Sequence, residues 1–189
     1  MTPSTKRASD SSDAVLRIVA AQAGDLGRYL DFLEEITDWL AVRGIKQWPP
    51  GNFHLSASYY AESIEREEVQ LAFAGDELVG TLRLLLREPI VWPDIVEDDG
   101  VYVYNLAVKR TWASRGLGLW LLDWADDRAA SLGRRWLRLD CVTDNTFLRR
   151  YYREAGFEDR GNIEAHYPPP VGTLTLRRYE RRVVESCPS

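Results

Sequence analysis

Two short segments of this 189-residue sequence combine residue types that could bind a ligand or donate a proton. The first, Arg115-Gly116-Leu117-Gly118, stands between a β-type segment and an amphipathic helical segment. Glycine lets the backbone approach a ligand closely, and the start of a helix presents unpaired N–H groups with partial positive charge. Together with the Arg115 guanidinium, these groups predict an anion site suited to phosphate. The segment has neither the Gly-Lys-Ser/Thr ending of a Walker loop nor the G-x-G-x-x-G spacing of a dinucleotide site.

The second segment contains a polar pair at a helical spacing. Asn145 and Tyr152 are seven residues apart, which is about two helical turns, so their side chains share roughly one face. An Asn side chain can donate to and accept from an amide, and a Tyr hydroxyl can donate a proton or a hydrogen bond at neutral pH. The same residues could instead be a helix cap and a half-buried aromatic, and the spacing leaves both interpretations open.

The periodicity of apolar residues along the chain predicts the elements that must position these segments. The predicted order is β, α, α, β, β, β, α, β, α, β, β, a mixed sheet flanked by helices in an α/β or α+β fold. The first helix ends at Gly44, and a weaker helix is predicted over 56–65. The β-type runs 101–108 and 136–142 flank the helix that follows the glycine turn. We expect these two strands to be central, parallel neighbours joined by a right-handed crossover.

Composition limits the class of protein. The net charge of −5 and the pI of about 5.2 argue against nucleic acid or an anionic membrane as partner. Two cysteines make no disulfide framework, and two histidines far apart in sequence give no metal site. Residues 1–13 are polar and Ser-rich, so we expect a disordered leader, one folded domain over 14–183 and a frayed tail over 184–189. These features favour a cytoplasmic protein.

The motifs together resemble the GNAT family of N-acetyltransferases. The residues that carry the resemblance are Asn105-Leu106-Ala107-Val108, Arg115-Gly116-Leu117-Gly118, Asn145, Tyr152 and Gly156-Phe157. The phosphate loop of the family reads Arg/Gln-x-x-Gly-x-Gly/Ala, which Arg115 and Gly118 match, whereas Trp120 stands where a small residue is usual. The motifs match only over 101–157, and the element order matches over about 14–180. The resemblance implies a largely antiparallel, twisted sheet of six or seven strands.

The resemblance also implies acetyl-CoA as co-substrate, and transfer of the acetyl group directly to an amine without a covalent enzyme intermediate. By this resemblance the acetyl-CoA-binding residues are Leu106, Ala107, Val108, Arg115, Gly116, Leu117, Gly118, Leu119, Trp120 and Asn145. It makes Tyr152 the general acid that protonates the leaving thiolate, and it places Trp39, Arg43 and Trp48 near the acceptor.

Several points stay open at the level of sequence. Many family members carry Glu near the position of Asn105, and Asn cannot act as a base. A base would then come from the acidic run 97–99 through water, or none is needed for an amine of low pKa. Cys141 and Asp140 are expected to be structural. Tyr151, rotated by about 100° from Tyr152, is expected to point away from the site.

The acceptor is expected to be a primary amine of a small molecule. The alternatives are a protein N-terminus or lysine, and an acyl-CoA-binding module without activity. A homodimer is possible for this fold, and no metal is expected.

Overall fold

Runs rich in β-branched and aromatic residues form seven strands, which pair into one sheet. In this computed structural model the residues described are 15–97, 99–168 and 171–184. The strands are β1 Leu16–Ala20, β2 Val69–Ala74, β3 Glu77–Leu85, β4 Gly100–Val108, β5 Trp136–Val142, β6 Glu158–His166 and β7 Thr173–Arg182. Their order in the sheet is β1-β2-β3-β4-β5-β7-β6. Only the β4–β5 pair is parallel, and the other five pairs are antiparallel.

Five α-helices cover the two faces of this sheet. They are α1 Leu26–Val42, α2 Asn52–Leu55, α3 Ala57–Glu65, α4 Leu117–Ser131 and α5 Thr146–Glu154. The apolar residues of α4 and α5 pack with one face of the sheet, and those of α1, α2 and α3 pack with the other. A third cluster lies beside the α1–α3 face, around Trp92 and Tyr102. The helices of the described part of the chain are all too short or too polar to cross a membrane.

The fold class and the central strand pair are confirmed. β4 occupies the fourth position of seven, and β5 runs parallel beside it. Gly44 follows the end of α1 with a φ of +70°, which is the conformation of a helix-ending glycine. The short helix α2 was not expected, because Trp48-Pro49-Pro50-Gly51 indicated only a break. The predicted leader, and all of the predicted tail except Val184, lie outside the described residues.

Candidate active site

The two central strands separate halfway along their length. β4 and β5 are paired from Gly100 and Trp136 to Val103 and Leu139, where the pairing stops. Beyond this point β5 continues to pair with β7, and β4 continues to pair with β3. The β5-facing backbone edge of 104–108 is therefore left without a strand partner within the described residues. This opening, called here the split, exposes backbone groups that can bind an amide-rich ligand.

Asn105 marks the point where β4 bends away. Its φ is +48°, which is left-handed and uncommon for a residue with a side chain, although Asn tolerates it better than most. The β3–β4 register shifts at the same place, between the pairs of Thr81 and Arg83. Tyr29 donates a long hydrogen bond of 3.5 Å to Asn105 Oδ1. The predicted binding residues Leu106 and Val108 then face the α4–α5 side, while Ala107 faces the α1–α3 side.

The glycine turn leads directly into α4. Gly116 is the N-cap residue, with a φ of +77°, and no side chain caps the helix. The first N–H groups of α4, those of Leu117, Gly118 and Leu119, precede its first intrahelical donor and are available to an anion. Arg115 is exposed at this end, with its guanidinium 5.1 Å from the Trp112 ring. A 15-residue helix with an uncapped N-terminus and a flanking arginine fits a phosphate group.

Trp120 does not lie on the Gly118 side of α4. Two residues along a helix rotate the side chain by about 200°, and Trp120 packs partly buried against the core beneath α4 and α5. The large residue in the motif is therefore directed away from the face that Gly118 presents. Despite this departure from the family pattern, the first N–H groups of α4 keep no intrahelical partner.

Tyr151 contacts the start of α4, contrary to the expectation that it points away from the site. A Cβ atom added at Gly118 would clash with the Tyr151 hydroxyl and would lie 3.9 Å from a Val108 methyl group. Burial, with a contribution from Asp123, raises the pKa of Tyr151 to about 12. The expectation fails because α5 lies beside the first turn of α4, so that two neighbouring faces of α5 border the split.

Tyr152 lies deeper than Tyr151. Its ring is buried, 5.7 Å from the Tyr179 ring and 6.0 Å from the Phe157 ring. Burial raises its pKa well above 10, and the neighbouring Cys141 and Asp140 of β5 raise it further. These neighbours place Tyr152 beside the part of β5 that has separated from β4. The hydroxyl is thus protonated at neutral pH, as a proton donor must be.

Asn145 connects two segments across the split. Its Oδ1 accepts a hydrogen bond of 3.0 Å from the N–H of Leu148, so it is the N-cap of α5. Its amide Nδ2 donates to Oε1 of Gln47 at 3.1 Å. Gln47 belongs to the link between α1 and α2, so this bridge ties that link to the end of β5. Asn145 is therefore the cap of α5 and also lies close to the split.

The three residues expected near the acceptor lie on this link or at the end of α1. Trp39 is sandwiched between two guanidinium groups, with Arg43 at 3.9 Å and Arg110 at 3.6 Å from its ring. Trp48 packs against Phe53 at 5.4 Å. The Trp39 stack joins α1 to the segment after β4, at the far end of the split. The guanidinium-bearing residues Arg43 and Arg110 are both exposed, so the stack forms a cationic patch at the surface.

On the α1–α3 side of the sheet the split opens onto a group of carboxylates and tyrosines. Asp140 is the first residue of β5 beyond the pairing with β4 and is partly accessible. Burial raises the pKa of Asp140 to about 7, the charge of buried Glu88 raises it further, and the Tyr104 hydroxyl opposes the rise. Tyr167 also faces Asp140, Glu88 and Tyr104.

Sequence reasoning treated Asp140 as structural. The signal it overlooked is a carboxylate in a strand where alternate residues are apolar. Opposite Asp140 on β7, Arg178 forms an ion pair with Asp94, so its charge is already compensated.

Asp99, the last residue of the acidic run before β4, is unsuited to the role of a base. Asp99 forms ion pairs with Arg135 at 2.8 Å and Arg138 at 3.2 Å. It precedes Gly100, at the paired end of β4 and therefore at the opposite end from the split. Asp98 lies outside the described residues. No group of three or more His, Cys, Asp or Glu side chains among the described residues could hold a metal ion.

Comparison with known proteins agrees with this geometry. The model of the Acetyltransferase (GNAT) family matches residues 33–157. The uncharacterized N-acetyltransferase YesJ of Bacillus subtilis strain 168 is 32% identical over 140 residues, covering 71% of this chain and 77% of that protein.

Two solved structures share the fold. An acetyltransferase of the GNAT family from Listeria monocytogenes 4b F2365 aligns with a TM-score of 0.76 and 19% identity, over 95% of this chain and 99% of that one. RimL, a ribosomal L7/L12 α-N-protein acetyltransferase in complex with coenzyme A, aligns with a TM-score of 0.65 and 16% identity, over 93% of this chain and 97% of that one.

The family match covers most of the chain and includes the split, the glycine turn and α5. The relative in Bacillus subtilis extends the likeness over 140 residues. The chain therefore belongs to the GNAT family and is an acetyl-CoA-dependent acyltransferase.

Proposed function

We propose that this enzyme transfers the acetyl group of acetyl-CoA directly to a primary amine of a small molecule. The observation that carries the proposal is the split itself, which opens on one side to the glycine turn and on the other to a half-buried group of polar side chains. A donor bound on the first side and an acceptor bound on the second meet between β4 and β5. No covalent intermediate on the enzyme is required, since both reactants reach the same opening.

The donor side fits acetyl-CoA through backbone groups. The uncapped N–H groups of Leu117, Gly118 and Leu119 would bind the pyrophosphate, and Arg115 would add a charge-assisted hydrogen bond. The unpaired edge of β4 from Leu106 to Val108 would bind the amides of the pantetheine arm. Gly118 fits this role because a side chain there would clash with the Tyr151 hydroxyl. When bound, acetyl-CoA supplies an acetyl thioester whose carbonyl carbon accepts the nucleophile.

Proton transfer then falls to side chains on either side of β5. The acceptor ammonium must lose a proton before its nitrogen can attack, and Asp140 is the carboxylate at the split on the acceptor side. The amine nitrogen bonds to the acetyl carbon as the carbon–sulfur bond breaks. Tyr152 donates its proton to the thiolate sulfur and regains one that the new amide nitrogen releases. The net products are the N-acetyl amine, CoA thiol and one proton, which leaves through Asp140.

Several contacts favour a small acceptor. The Asn145–Gln47 hydrogen bond holds the α1–α2 link against the end of β5, where the link would restrict the entry of a large acceptor. The groups that face the split there are half-buried or buried, as Tyr104, Asp140 and Glu88 show. A folded polypeptide would have to displace the link in order to reach the thioester.

The second candidate is a protein N-terminus. Its support is the structural likeness to RimL, which acts on a ribosomal protein and shares only the fold with this chain. An extended N-terminal peptide could enter the split only after the Asn145–Gln47 bridge has opened.

An acceptor screen separates the two candidates. Release of CoA thiol is measured with acetyl-CoA and a panel of small amines, and then with peptides that begin with different residues. We expect turnover with small amines and at least tenfold lower kcat/KM for peptides. Preferred acetylation of peptides would overturn the small-molecule proposal while leaving the acyltransferase activity in place.

A further inference from the structure

A buried guanidinium lies next to the split without a counter-ion. Arg83 of β3 is only 3% exposed, and its Nε has no hydrogen-bond partner. Its Nη1 donates to the Ser63 hydroxyl at 3.0 Å, and within the described residues it forms no ion pair with a carboxylate. Glu68, on the neighbouring strand edge, is instead paired with Arg66 at 2.7 Å. A buried charge without a partner costs stability, so it needs a reason to be there.

Tyrosine rings surround this guanidinium. Its Cζ atom is 4.9 Å from the Tyr59 ring, 5.7 Å from the Tyr60 ring and 5.5 Å from the Tyr104 ring. Such rings stabilise a cation through cation–π contacts while leaving its N–H groups free to donate. Tyr59 is partly exposed, so the aromatic cluster reaches the surface. The cluster thus keeps a positive charge ready for an anionic group from outside.

Tyr104 joins this cation to the carboxylates at the split. Arg83 and Tyr104 face each other in the β3–β4 register, at the residue before the bend at Asn105. The Tyr104 hydroxyl lowers the pKa of Asp140. Besides burial, the charges of Asp140, Glu88 and Tyr59 raise the pKa of Tyr167, and Tyr104 lowers it. The Tyr104 hydroxyl is itself buried without a hydrogen-bond partner of ordinary geometry. The acceptor side therefore has a cationic end at Arg83 and an anionic end at Asp140, with Tyr104 next to both.

We infer that the acceptor is an aminocarboxylate, a small molecule whose amino group faces Asp140 while its carboxylate binds Arg83. This inference rests on the proposed function and specifies its substrate. Arginine suits the role because its planar guanidinium presents paired N–H donors to the two oxygens of a carboxylate. The amino group then lies at the split, where Asp140 takes one of its protons. A free α- or β-amino acid has the required size, with charges of opposite sign a few bonds apart.

The test uses matched sets of three acceptors with the same side chain: an amino acid, its amide, and the amine left by decarboxylation. Initial rates of CoA thiol release give kcat/KM for each acceptor with the wild-type enzyme. We expect the amino acid to exceed the other two by at least tenfold. In Arg83→Met, kcat/KM for the amino acid should fall by at least about 30-fold, since removing one partner of a buried charge pair has a large effect. Values for the two analogues that lack the carboxylate should change by less than about threefold.

Two further variants guard against a purely structural effect. Arg66→Met removes the neighbouring guanidinium that also contacts Ser63, and it should leave the preference for the amino acid unchanged. Arg83→Lys retains the charge and should retain part of the preference. If Arg83→Met does not fold, the inference is still tested by the wild-type preference for the amino acid and by the preference that Arg83→Lys retains. A role for Arg83 in folding alone predicts equal losses for all three acceptors.

The outcomes separate this inference from the proposed function. Equal acetylation of the amino acid and its analogues would overturn the aminocarboxylate inference and leave the acetyltransferase function intact. A preference for the decarboxylated amine would do the same. Acetyl-CoA binding without turnover on any small amine would overturn both.

Discussion

At the scale of single residues, the two neighbouring tyrosines of α5 have different surroundings. Tyr152 is buried against β5 and β7, while Tyr151 is half-buried and contacts the first turn of α4. The general-acid role assigned to Tyr152 stays a prediction, and its protonated state at neutral pH agrees with it.

Tyr152→Phe should lower kcat by about 10² to 10⁴, because the thiolate then leaves without a proton donor. The affinity for acetyl-CoA should remain nearly unchanged, since the ring and its packing are kept. Steady-state kinetics and calorimetry measure the two quantities. Tyr179→Phe is the matched control, because this buried tyrosine packs on the Tyr152 ring and its hydroxyl has no partner of ordinary geometry. Full turnover by Tyr152→Phe, with chemistry rate-limiting, would show that the role belongs elsewhere.

Asp140 should give the reaction a pH dependence near neutrality. Its pKa is raised to about 7, so the carboxylate that accepts the proton forms only as the pH passes that value. We expect kcat/KM for the acceptor to rise through about pH 7, and Asp140→Asn to lose this step and about 10² to 10⁴ in rate. The pH profiles of the two proteins with one acceptor provide the measurement. An unaltered profile in the variant would exclude Asp140 as the proton acceptor.

The sequence carries a clearer local pattern for the proposed donor side of the site than for the proposed acceptor side. Donor recognition of the kind proposed would use backbone groups and glycines at fixed spacing, and Gly116 and Gly118 are visible in the sequence. Arg83 and Asp140 come from strands that are far apart along the chain. Only the sheet register brings them to one opening, so no local pattern in the sequence linked the two residues.

At the scale of elements, the contact between α4 and α5 can be tested with two substitutions, of which the second removes the clash that the first creates. Gly118→Ala adds a Cβ that would clash with the Tyr151 hydroxyl, so the ring must move. We expect this variant to lose stability and to bind CoA more weakly. Adding Tyr151→Phe removes the clashing oxygen and leaves the nearest ring carbon at 3.4 Å, which is ordinary contact.

Because alanine favours a helix over glycine by about 1 kcal/mol, Gly118→Ala/Tyr151→Phe should be at least as stable as Tyr151→Phe alone. Chemical denaturation of the four proteins gives the coupling energy. Additive effects in this cycle would mean that the two helices do not meet as described.

The start of α4 should account for much of the CoA affinity. Arg115→Glu places a negative charge beside the phosphate groups and should weaken CoA binding at least tenfold, about 1.4 kcal/mol. Arg182→Glu makes the same charge change at the opposite end of the sheet, where β7 pairs with Trp136, and it should leave the affinity unchanged. Calorimetry with CoA distinguishes the two variants. Equal effects would point to overall charge rather than to the glycine turn.

The elements were largely predictable, but the bend in β4 was not. The run Val101 to Val108 has the pattern of a regular strand, and its only irregular member is Asn105. Asn tolerates a left-handed backbone, yet nothing in the local sequence requires one. The bend lies where β4 stays paired with β3 on one side and β5 stays paired with β7 on the other. A feature that depends on four strands at once is not encoded in one of them.

At the scale of the whole molecule, the raised pKa of Asp140 should make stability fall as the pH rises. A carboxyl group whose pKa is about 7 in the folded protein and about 4 in the unfolded chain favours folding fully below pH 4. This contribution is lost between about pH 4 and pH 7 and stays lost above. Burial raises the pKa of Asp126 to about 6, so Asp126 also lowers stability as the pH rises. This effect is the same in the wild type and in an Asp140 variant.

Asp140→Asn should therefore gain stability relative to the wild type as the pH goes from 5 to 8, even though it loses activity. Urea denaturation of both proteins at the two pH values gives the comparison. A stability difference that does not change with pH would show that Asp140 titrates normally.

The split has a consequence for inhibitor design. In the proposed mechanism the donor and the acceptor meet there from the two faces of the sheet, so a molecule that carries both halves would occupy both sites at once. Such a molecule would join the sulfur of CoA to the nitrogen of an aminocarboxylate through a linker of acetyl length. Its two halves would then reach the donor site and the acceptor site together. The second half then binds at a high effective concentration, so affinity rises far above that of either half alone. Such a compound would compete with both substrates, whereas each half competes with only one.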